Sequence, residues 1–124
     1  MAVVSAIPVA PDVLGPEVAV LPLRAVAERI GSSVSRVHQM IRDGQLLATR
    51  RDGEYVVPEA FLNGNSVVKG LSGTITLLRD NGYNDEEILR WLFTEDESLP
   101  GSPIEALRSN RGREVKRRAQ AMGF

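Results

Sequence analysis

The stretch LRAVAERIGSSVSRVHQMIRDGQLLATRRDGEYVV, residues 23–57, decides the fold. Apolar side chains in its first eight residues recur with the spacing of one helix face: Leu23, Val26, Ala27 and Ile30. Gly31 is suited to end this helix, since glycine accepts the left-handed backbone conformation found after helix C-termini. Ser33 is a favoured N-cap for a second helix, which Gly44 stops. The stretch therefore predicts two short helices joined by a tight turn.

A β-hairpin is predicted directly after the second helix. Residues 46–50 and 55–57 form its strands, and Asp52-Gly53 between them is a strong short-range turn signal. Two helices followed by such a hairpin, or wing, make a winged helix-turn-helix, which places one helix in a DNA groove. The sequence thus predicts binding of double-stranded DNA, with helix 33–43 in the major groove and residues 46–57 as a basic wing.

The second helix has an inward apolar side and an outward polar side. Val34, Val37 and Ile41 are predicted to face inward. Arginine pairs bidentately with guanine and glutamine with adenine, so Arg36 and Gln39 are the predicted base readers. The other predicted DNA contacts suit phosphate groups, flank the readers or lie at the tip of the wing: Ser33, Ser35, His38, Arg42, Arg50 and Arg51.

Charge is segregated along the chain, although the net charge is only −1. Residues 23–51 contain six arginines and two carboxylates, a balance of +4, and residues 52–100 contain three basic and ten acidic residues, a balance of −7. Residues 101–124 return to +4, with six basic and two acidic residues. Polyanion binding depends on the local field rather than on the net charge. Four basic residues near the C-terminus are therefore either secondary phosphate contacts or merely exposed: Arg113, Lys116, Arg117 and Arg118.

The 124 residues suffice for one ordinary domain or two very small ones. Residues 1–20 contain several prolines and show no helical or strand period, which predicts a flexible tail. Residues 21–63 are assigned to the winged helix-turn-helix, and residues 64–124 to a small all-helical domain packed on it or linked to it. The predicted fold class is mainly α with one β-hairpin.

Composition argues against an enzyme and against a metal or cofactor site. The chain has no cysteine and one histidine, His38, which excludes disulfides, thiolate zinc sites and multi-histidine centres. The acidic runs 85–87 and 95–97 fit a helix start and a solvated loop better than a catalytic pair with separated pKa values. No run approaches the roughly 18 apolar residues of a membrane helix, and we expect a cytoplasmic protein.

The segment from Val26 to Leu46 resembles the winged helix-turn-helix of the excisionase and MerR-type superfamily. Three later blocks are more specific: GYNDEEILRWLFT (82–94), PIEAL (103–107) and REVKRRAQAM (113–122). Together, over about residues 20–124, they resemble a small actinobacterial family of DNA-binding proteins whose mycobacterial member is a substrate of the Ser/Thr kinase PknL. The resemblance implies a cytoplasmic, nucleoid-associated or transcriptional DNA-binding protein without enzymatic activity.

The same resemblance implies control by a Ser/Thr kinase, which would modify a threonine in the N-terminal tail. This chain departs from that pattern, because residues 1–22 contain no threonine and Ser5 is their only hydroxyl side chain.

More loosely, the second half is similar to the C-terminal helical domain of certain antitoxins, where the Trp-Leu and Pro-Ile-x-x-Leu blocks belong to a protein-binding module. That similarity implies an alternative function: a protein partner docks on the C-terminal helices and DNA contact is secondary. The other interpretation of Trp91, Ile104 and Leu107 is that they are simply core residues.

Overall fold

Helices α1 (Leu23–Ile30) and α2 (Val34–Arg42) lie where the apolar spacing predicts them in the computed structural model, which describes residues 7–122. Gly31 closes α1 with φ of +68° and donates its N–H to carbonyls of the last turn. The Ser33 hydroxyl oxygen accepts a hydrogen bond from the Arg36 N–H at 3.1 Å, the N-cap bond expected of a serine here. The predicted helix-turn-helix is confirmed.

The wing is an antiparallel hairpin of β3 (Ala48–Arg51) and β4 (Glu54–Pro58). Its turn residues Asp52 and Gly53 both have positive φ, 53° and 81°, as a two-residue hairpin loop that matches the strand twist requires. Two further strands complete a four-stranded sheet in the order β1-β3-β4-β2. Strand β1 (Val9–Ala10) runs parallel to β3, and β2 (Val20–Pro22) runs antiparallel to β4.

The prediction of a flexible tail over residues 1–20 is wrong for residues 7–20. Ile7, Ala10 and Leu14 are buried, and the Thr49 hydroxyl donates to the Ala10 carbonyl at 2.7 Å. Strands of two or three residues are too short to show an alternating pattern, and their partners lie about 35 to 40 residues later in the chain. Residues 1–6, including Ser5, lie outside the described residues.

A short hairpin of β5 (Leu62–Asn63) and β6 (Ser66–Val67) spans the predicted boundary, and the second half continues as four helices. These are α3 (Leu71–Asp80), α4 (Asp85–Leu92), α5 (Pro103–Arg108) and α6 (Gly112–Ala121). Capping boxes start α4 and α5, with Asn84 and Ser102 as the N-caps. The predicted fold class, a winged helix-turn-helix followed by a helical domain, is confirmed, with more strands than the one predicted hairpin.

One hydrophobic core runs through both halves of the described chain. It joins Val26 and Ile41 of the helix-turn-helix to Phe61, Leu71 and Leu89, all of them buried. The Arg108 guanidinium of α5 also donates to the carbonyls of Ala60 and Leu62. The two halves are therefore packed together, and the division at residues 63 and 64 stays a prediction. None of the described helices has both the length and the apolar character needed to cross a membrane.

Candidate nucleic-acid interface

Helix α2 presents a polar face to solvent along its first two turns. Ser35, Arg36 and Gln39 are exposed, while His38 and Arg42 are half-buried at the edges of this face. Val37, Met40 and Ile41 hold the opposite side in the core. The first-turn N–H groups of the helix lie at the same end as Arg36, which gives that end a partial positive charge. The structure therefore brings the predicted base readers and the capped helix start to one surface.

Val34 departs from the sequence prediction. It was expected to face inward, but its side chain is 39% exposed, and Met40 fills the inner position with 6% exposure. Val34 is the first residue of α2, where no preceding turn of helix covers it. An exposed apolar side chain at the start of a groove-binding helix is suited to contact a thymine methyl group. Sequence reasoning missed this residue because apolar spacing alone assigned it to the core.

Gln39 is held in a fixed orientation by its neighbours on α2. The Arg42 guanidinium donates to Gln39 Oε1 at 3.1 Å, and Gln39 Nε2 donates to Asp43 Oδ1 at 2.9 Å. The amide keeps one N–H and one oxygen lone pair free of these two bonds. Those two groups are the donor and acceptor that pair with N7 and N6 of adenine. The local network thus orients Gln39 without using up its ability to read a base.

The wing carries an arginine stacked on an aromatic ring. The Arg50 guanidinium carbon lies 5.2 Å from the centroid of the Tyr55 ring, and the two residues are paired across the hairpin. Both are exposed, Tyr55 by 42%. A cation–π contact holds the guanidinium in place and leaves its edge free for phosphate. Tyr55 was not among the predicted contacts, although its position opposite Arg50 follows from the hairpin register.

Arg51 has a different environment from Arg50. Its Nε donates to Asp12 Oδ2 at 2.9 Å, and its Nη atoms donate to the carbonyls of Val18 and Gly15. Its side chain is 19% exposed. The hydrogen bond from Arg51 is the main reason that the pKa of Asp12 lies below its usual value. Arg51 therefore holds residues 12–18 against the wing rather than standing free at its tip.

The predicted secondary contacts lie on α6, in the other half of the molecule. Arg113, Lys116 and Arg117 are exposed. Arg118 is half-buried, because its guanidinium donates to the hydroxyl and carbonyl oxygens of Ser98. Three of the four side chains are therefore available to a ligand, and Arg118 fixes the loop before α5.

Acidic residues of the runs 85–87 and 95–97 form ion pairs, a helix cap and hydrogen bonds within the fold. Asp85 forms two hydrogen bonds with the Arg79 guanidinium, both 2.9 Å, and Glu87 completes the capping box of α4. Glu86 pairs with Arg90 one turn later. Asp96 accepts hydrogen bonds from the hydroxyl and N–H of Ser98, which lower its pKa. Within residues 7–122 no three or more His, Asp or Glu side chains are grouped as metal ligands would be.

Two family models match the chain, one in each half. Residues 6–62 match the winged helix-turn-helix domain of the DNA-binding protein Rv2175c, and residues 68–123 match the Rv2175c C-terminal domain of unknown function. The chain is 46% identical to the DNA-binding protein Rv2175c of Mycobacterium tuberculosis, with 100% of this chain and 94% of that protein covered. An NMR structure of Rv2175c superposes with a TM-score of 0.86 at 45% identity, covering 98% of this chain and 92% of the other.

Proposed function

Since the chain belongs to the family of the DNA-binding protein Rv2175c, we propose that it too binds double-stranded DNA, with α2 in the major groove and the β3–β4 wing on the adjacent backbone. We further propose that it is a transcriptional or nucleoid-associated regulator of the cytoplasm and that it has no enzymatic activity.

The observation that carries the proposal is the two-sided character of α2. Ser35, Arg36 and Gln39 are exposed on one side of this helix, while Val37 and Ile41 on the other side are fully buried. A helix anchored by its apolar side can insert its polar side in a groove without rearranging the core. Because the backbone of α2 is already ordered, DNA binding would not have to fold this helix.

The proposed contacts divide by chemistry. Arg36 and Gln39 read base edges, and Val34 contacts a thymine methyl group. Phosphate contacts come from the helix start, the flanks of α2 and the wing, and comprise Ser33, Ser35, His38, Arg42 and Arg50. We assign Arg51 to the support of residues 12–18, because its donors are already bonded there.

Control by a Ser/Thr kinase is the least supported part of this proposal. Ser5 is the one hydroxyl side chain in residues 1–22, and it lies outside the described residues. A phosphate added there would repel the DNA backbone if residues 1–6 approach the groove. Incubation with a Ser/Thr kinase and ATP, followed by mass spectrometry of the N-terminal peptide, tests this, and an unmodified Ser5 contradicts it.

The alternative function, a protein-interaction module made by residues 64–124, has less support. Within residues 7–122 the most exposed large apolar side chains are Val34 and Tyr55, which lie on α2 and on the wing. Ile104 and Leu107 are buried, and Trp91 is half-buried against the core. Among the described residues of the helical half, no large apolar side chain is as exposed as Val34 or Tyr55, although exposed apolar surface marks many protein interfaces.

Fluorescence anisotropy with a labelled random-sequence duplex tests DNA binding itself. The dissociation constant is measured at several salt concentrations for the wild type, Arg36→Ala and Arg90→Ala. Arg90 is an exposed arginine of α4 and is not among the proposed DNA contacts, so Arg90→Ala removes the same charge without removing such a contact. We expect weaker binding for Arg36→Ala alone, because it removes a base-reading guanidinium from the exposed side of α2. Equal affinities for the two variants would contradict the proposal.

A further inference from the structure

A basic cleft lies between the starts of α3 and α6, apart from the surface of α2. Its volume is about 730 Å³, and its rim carries Lys69, Arg113 and Lys116. No carboxylate is among its lining residues. The three cations form no ion pair or hydrogen bond with any residue between 7 and 122. Three unneutralised positive charges around one concavity repel each other, and an anion in the cleft would relieve that repulsion.

The helices on either side of the cleft run in the same direction. At their C-terminal ends, Asn81 after α3 donates to the Ala119 carbonyl of α6, and the Tyr83 hydroxyl donates to the Met122 carbonyl. At their N-terminal ends, Gly73 and Thr74 of α3 and Gly112 and Arg113 of α6 line the same cleft. Because both helix starts lie at the cleft, their partial positive charges add to those of the three side chains.

The first turns of α3 and α6 carry less negative charge than the first turn of α4. Helix α4 begins with three carboxylates and an asparagine cap, the arrangement that favours a helix start. Neither α3 nor α6 has a side-chain cap, and the first turn of α3 contains no acidic residue. The one carboxylate in the first turn of α6, Glu114, is paired with Arg111. The cleft is thus positive through both its side chains and its backbone.

The shape of the cleft favours a small ligand over a DNA duplex. Leu107 of α5 lies between the two helix starts, since its Cδ2 atom is 3.1 Å from where a Cβ atom at Gly70 would lie and 3.8 Å from the equivalent point at Gly112. A concave site of several hundred Å³ with an apolar side chain in its floor and polar groups at its rim is typical of small-molecule sites. A duplex backbone presents a convex surface and would reach only the rim.

We propose that this cleft binds a small phosphate-bearing molecule, with Lys69, Arg113 and Lys116 and the N–H groups at the two helix starts as its phosphate ligands. The site does not depend on the proposed contacts of α2. None of the residues that line the cleft lies on α2. Gly44, which follows α2, packs near Ile75 and Arg79 of α3, whereas the cleft is lined by Gly73 and Thr74 of that helix. The proposal therefore assigns a ligand to the half of the chain whose matching family model is described as a domain of unknown function.

NMR titration of the full chain with inorganic pyrophosphate tests this proposal, with NaCl at matched ionic strength as the reference. We expect saturable shifts of the amides of residues 71–74 and 112–114, with a dissociation constant of about 1 mM or lower. Arg113→Gln should weaken binding by about tenfold, the loss of one charge-assisted hydrogen bond. Arg90→Gln on α4 makes the same change outside the cleft and should leave the affinity within about twofold.

A second variant fills the cleft and keeps the fold. Nothing lies within 4 Å of a Cβ atom built at Gly73, and Gly73 lines the cleft, so Gly73→Glu adds a carboxylate there from a position with room for its Cβ atom. We expect it to abolish the pyrophosphate shifts and to keep the dispersed spectrum of the folded protein. Shifts no larger than those with NaCl, or equal binding by Gly73→Glu and the wild type, would overturn the proposal. Shifts at these amides with a DNA duplex but not with pyrophosphate would assign the cleft to DNA and also overturn it.

Discussion

Arg51 donates through Nε to Asp12 Oδ2 at 2.9 Å, and this ion pair ties the wing to the N-terminal segment. Arg51 also binds the carbonyls of Gly15 and Val18, so a single guanidinium fixes residues 12–18 beside strand β3. One of the two wing arginines is therefore structural, and Arg50 is the one that we propose as a DNA contact.

Loss of the Asp12 carboxylate should make the free energy of unfolding depend less on pH in the acidic range. The pKa of Asp12 is lowered chiefly by the hydrogen bond from Arg51. The stabilisation is therefore present above the ordinary carboxyl pKa of about 3.9, and it is lost as pH falls through the lower folded-state pKa. For Asp12→Asn we expect a loss below about 1 kcal/mol near neutral pH, since the pair is partly exposed.

Urea unfolding of the wild type and of Asp12→Asn between pH 6 and pH 3 measures this difference. The two stability curves should converge as the pH drops below about 4. A constant difference between the curves down to pH 3 would show that the pair makes no pH-dependent contribution.

Alanine substitutions at Val34 and Val37 should distinguish an effect on DNA affinity from an effect on the free energy of unfolding. Val34→Ala removes methyl groups from a side chain that is 39% exposed, so its effect on the free energy of unfolding should stay within about 0.5 kcal/mol. Val37→Ala makes the same change at a fully buried position and should cost about 1 to 3 kcal/mol. On a bound DNA site that contains thymine, we expect Val34→Ala to weaken binding by several-fold.

Thermal unfolding and DNA anisotropy on the same two variants provide the measurement. A Val34→Ala variant that loses as much stability as Val37→Ala would place Val34 in the core after all. One that binds every site as well as the wild type would remove it from the interface.

Arg50 and its stacking partner Tyr55 should affect DNA affinity and its salt dependence differently. Arg50→Ala should reduce affinity and lower the salt dependence by about one counterion, the signature of a lost phosphate contact. Tyr55→Leu keeps the charge but removes the ring 5.2 Å from the guanidinium, so affinity should fall by about two- to fivefold with little change in salt dependence. The same anisotropy assay checks both variants, and an unchanged salt dependence for Arg50→Ala would exclude the wing from the backbone contact.

Gly44, which follows α2, should tolerate substitution less well than Gly53 in the wing turn. Both have φ near +80°, and a side chain at either position costs about 1 kcal/mol in the left-handed region. A Cβ atom at Gly44 would also lie 2.7 Å from Arg79 Nη1, whereas nothing lies within 4 Å at Gly53. Arg79 cannot move away freely, because it binds Asp85 through Nε and Nη2.

We therefore expect Gly44→Ala to destabilise the protein by about 0.5 to 2 kcal/mol more than Gly53→Ala, by analogy with overpacking at a crowded site. Urea unfolding gives both values. Equal losses for the two variants would show that the Arg79–Asp85 pair does not brace the end of α2.

The sequence predicts best where periodicity and capping act locally. The apolar spacing of Leu23, Val26 and Ala27, the Ser33 cap and the Asp52-Gly53 turn all have the structure they indicate, because each depends on residues within a few positions. Strand β1 was not predictable in this way. Its two residues are held by a strand about 39 residues later and by the Thr49 hydroxyl, contacts that leave no local pattern.

Only part of the candidate site could be predicted from the sequence, for the same reason. The polar residues of α2 follow from helical spacing, but the exposure of Val34 depends on the missing turn before it. The hydrogen bond that engages the Arg51 guanidinium is accepted by Asp12, which is distant in sequence. The basic cleft combines residues of α3 and α6, and only the parallel packing of these helices brings Lys69 near Lys116.

The proposed recognition by α2 is tested most directly by selecting bound sequences from a random duplex library with the wild type, Gln39→Ala and Arg90→Ala. We predict one preferred sequence for the wild type and for Arg90→Ala. For Gln39→Ala we predict a loss of preference at one adenine-containing position, by about 1 to 3 kcal/mol. The same preferred sequence for all three proteins, or no enrichment by the wild type, would contradict the proposed recognition.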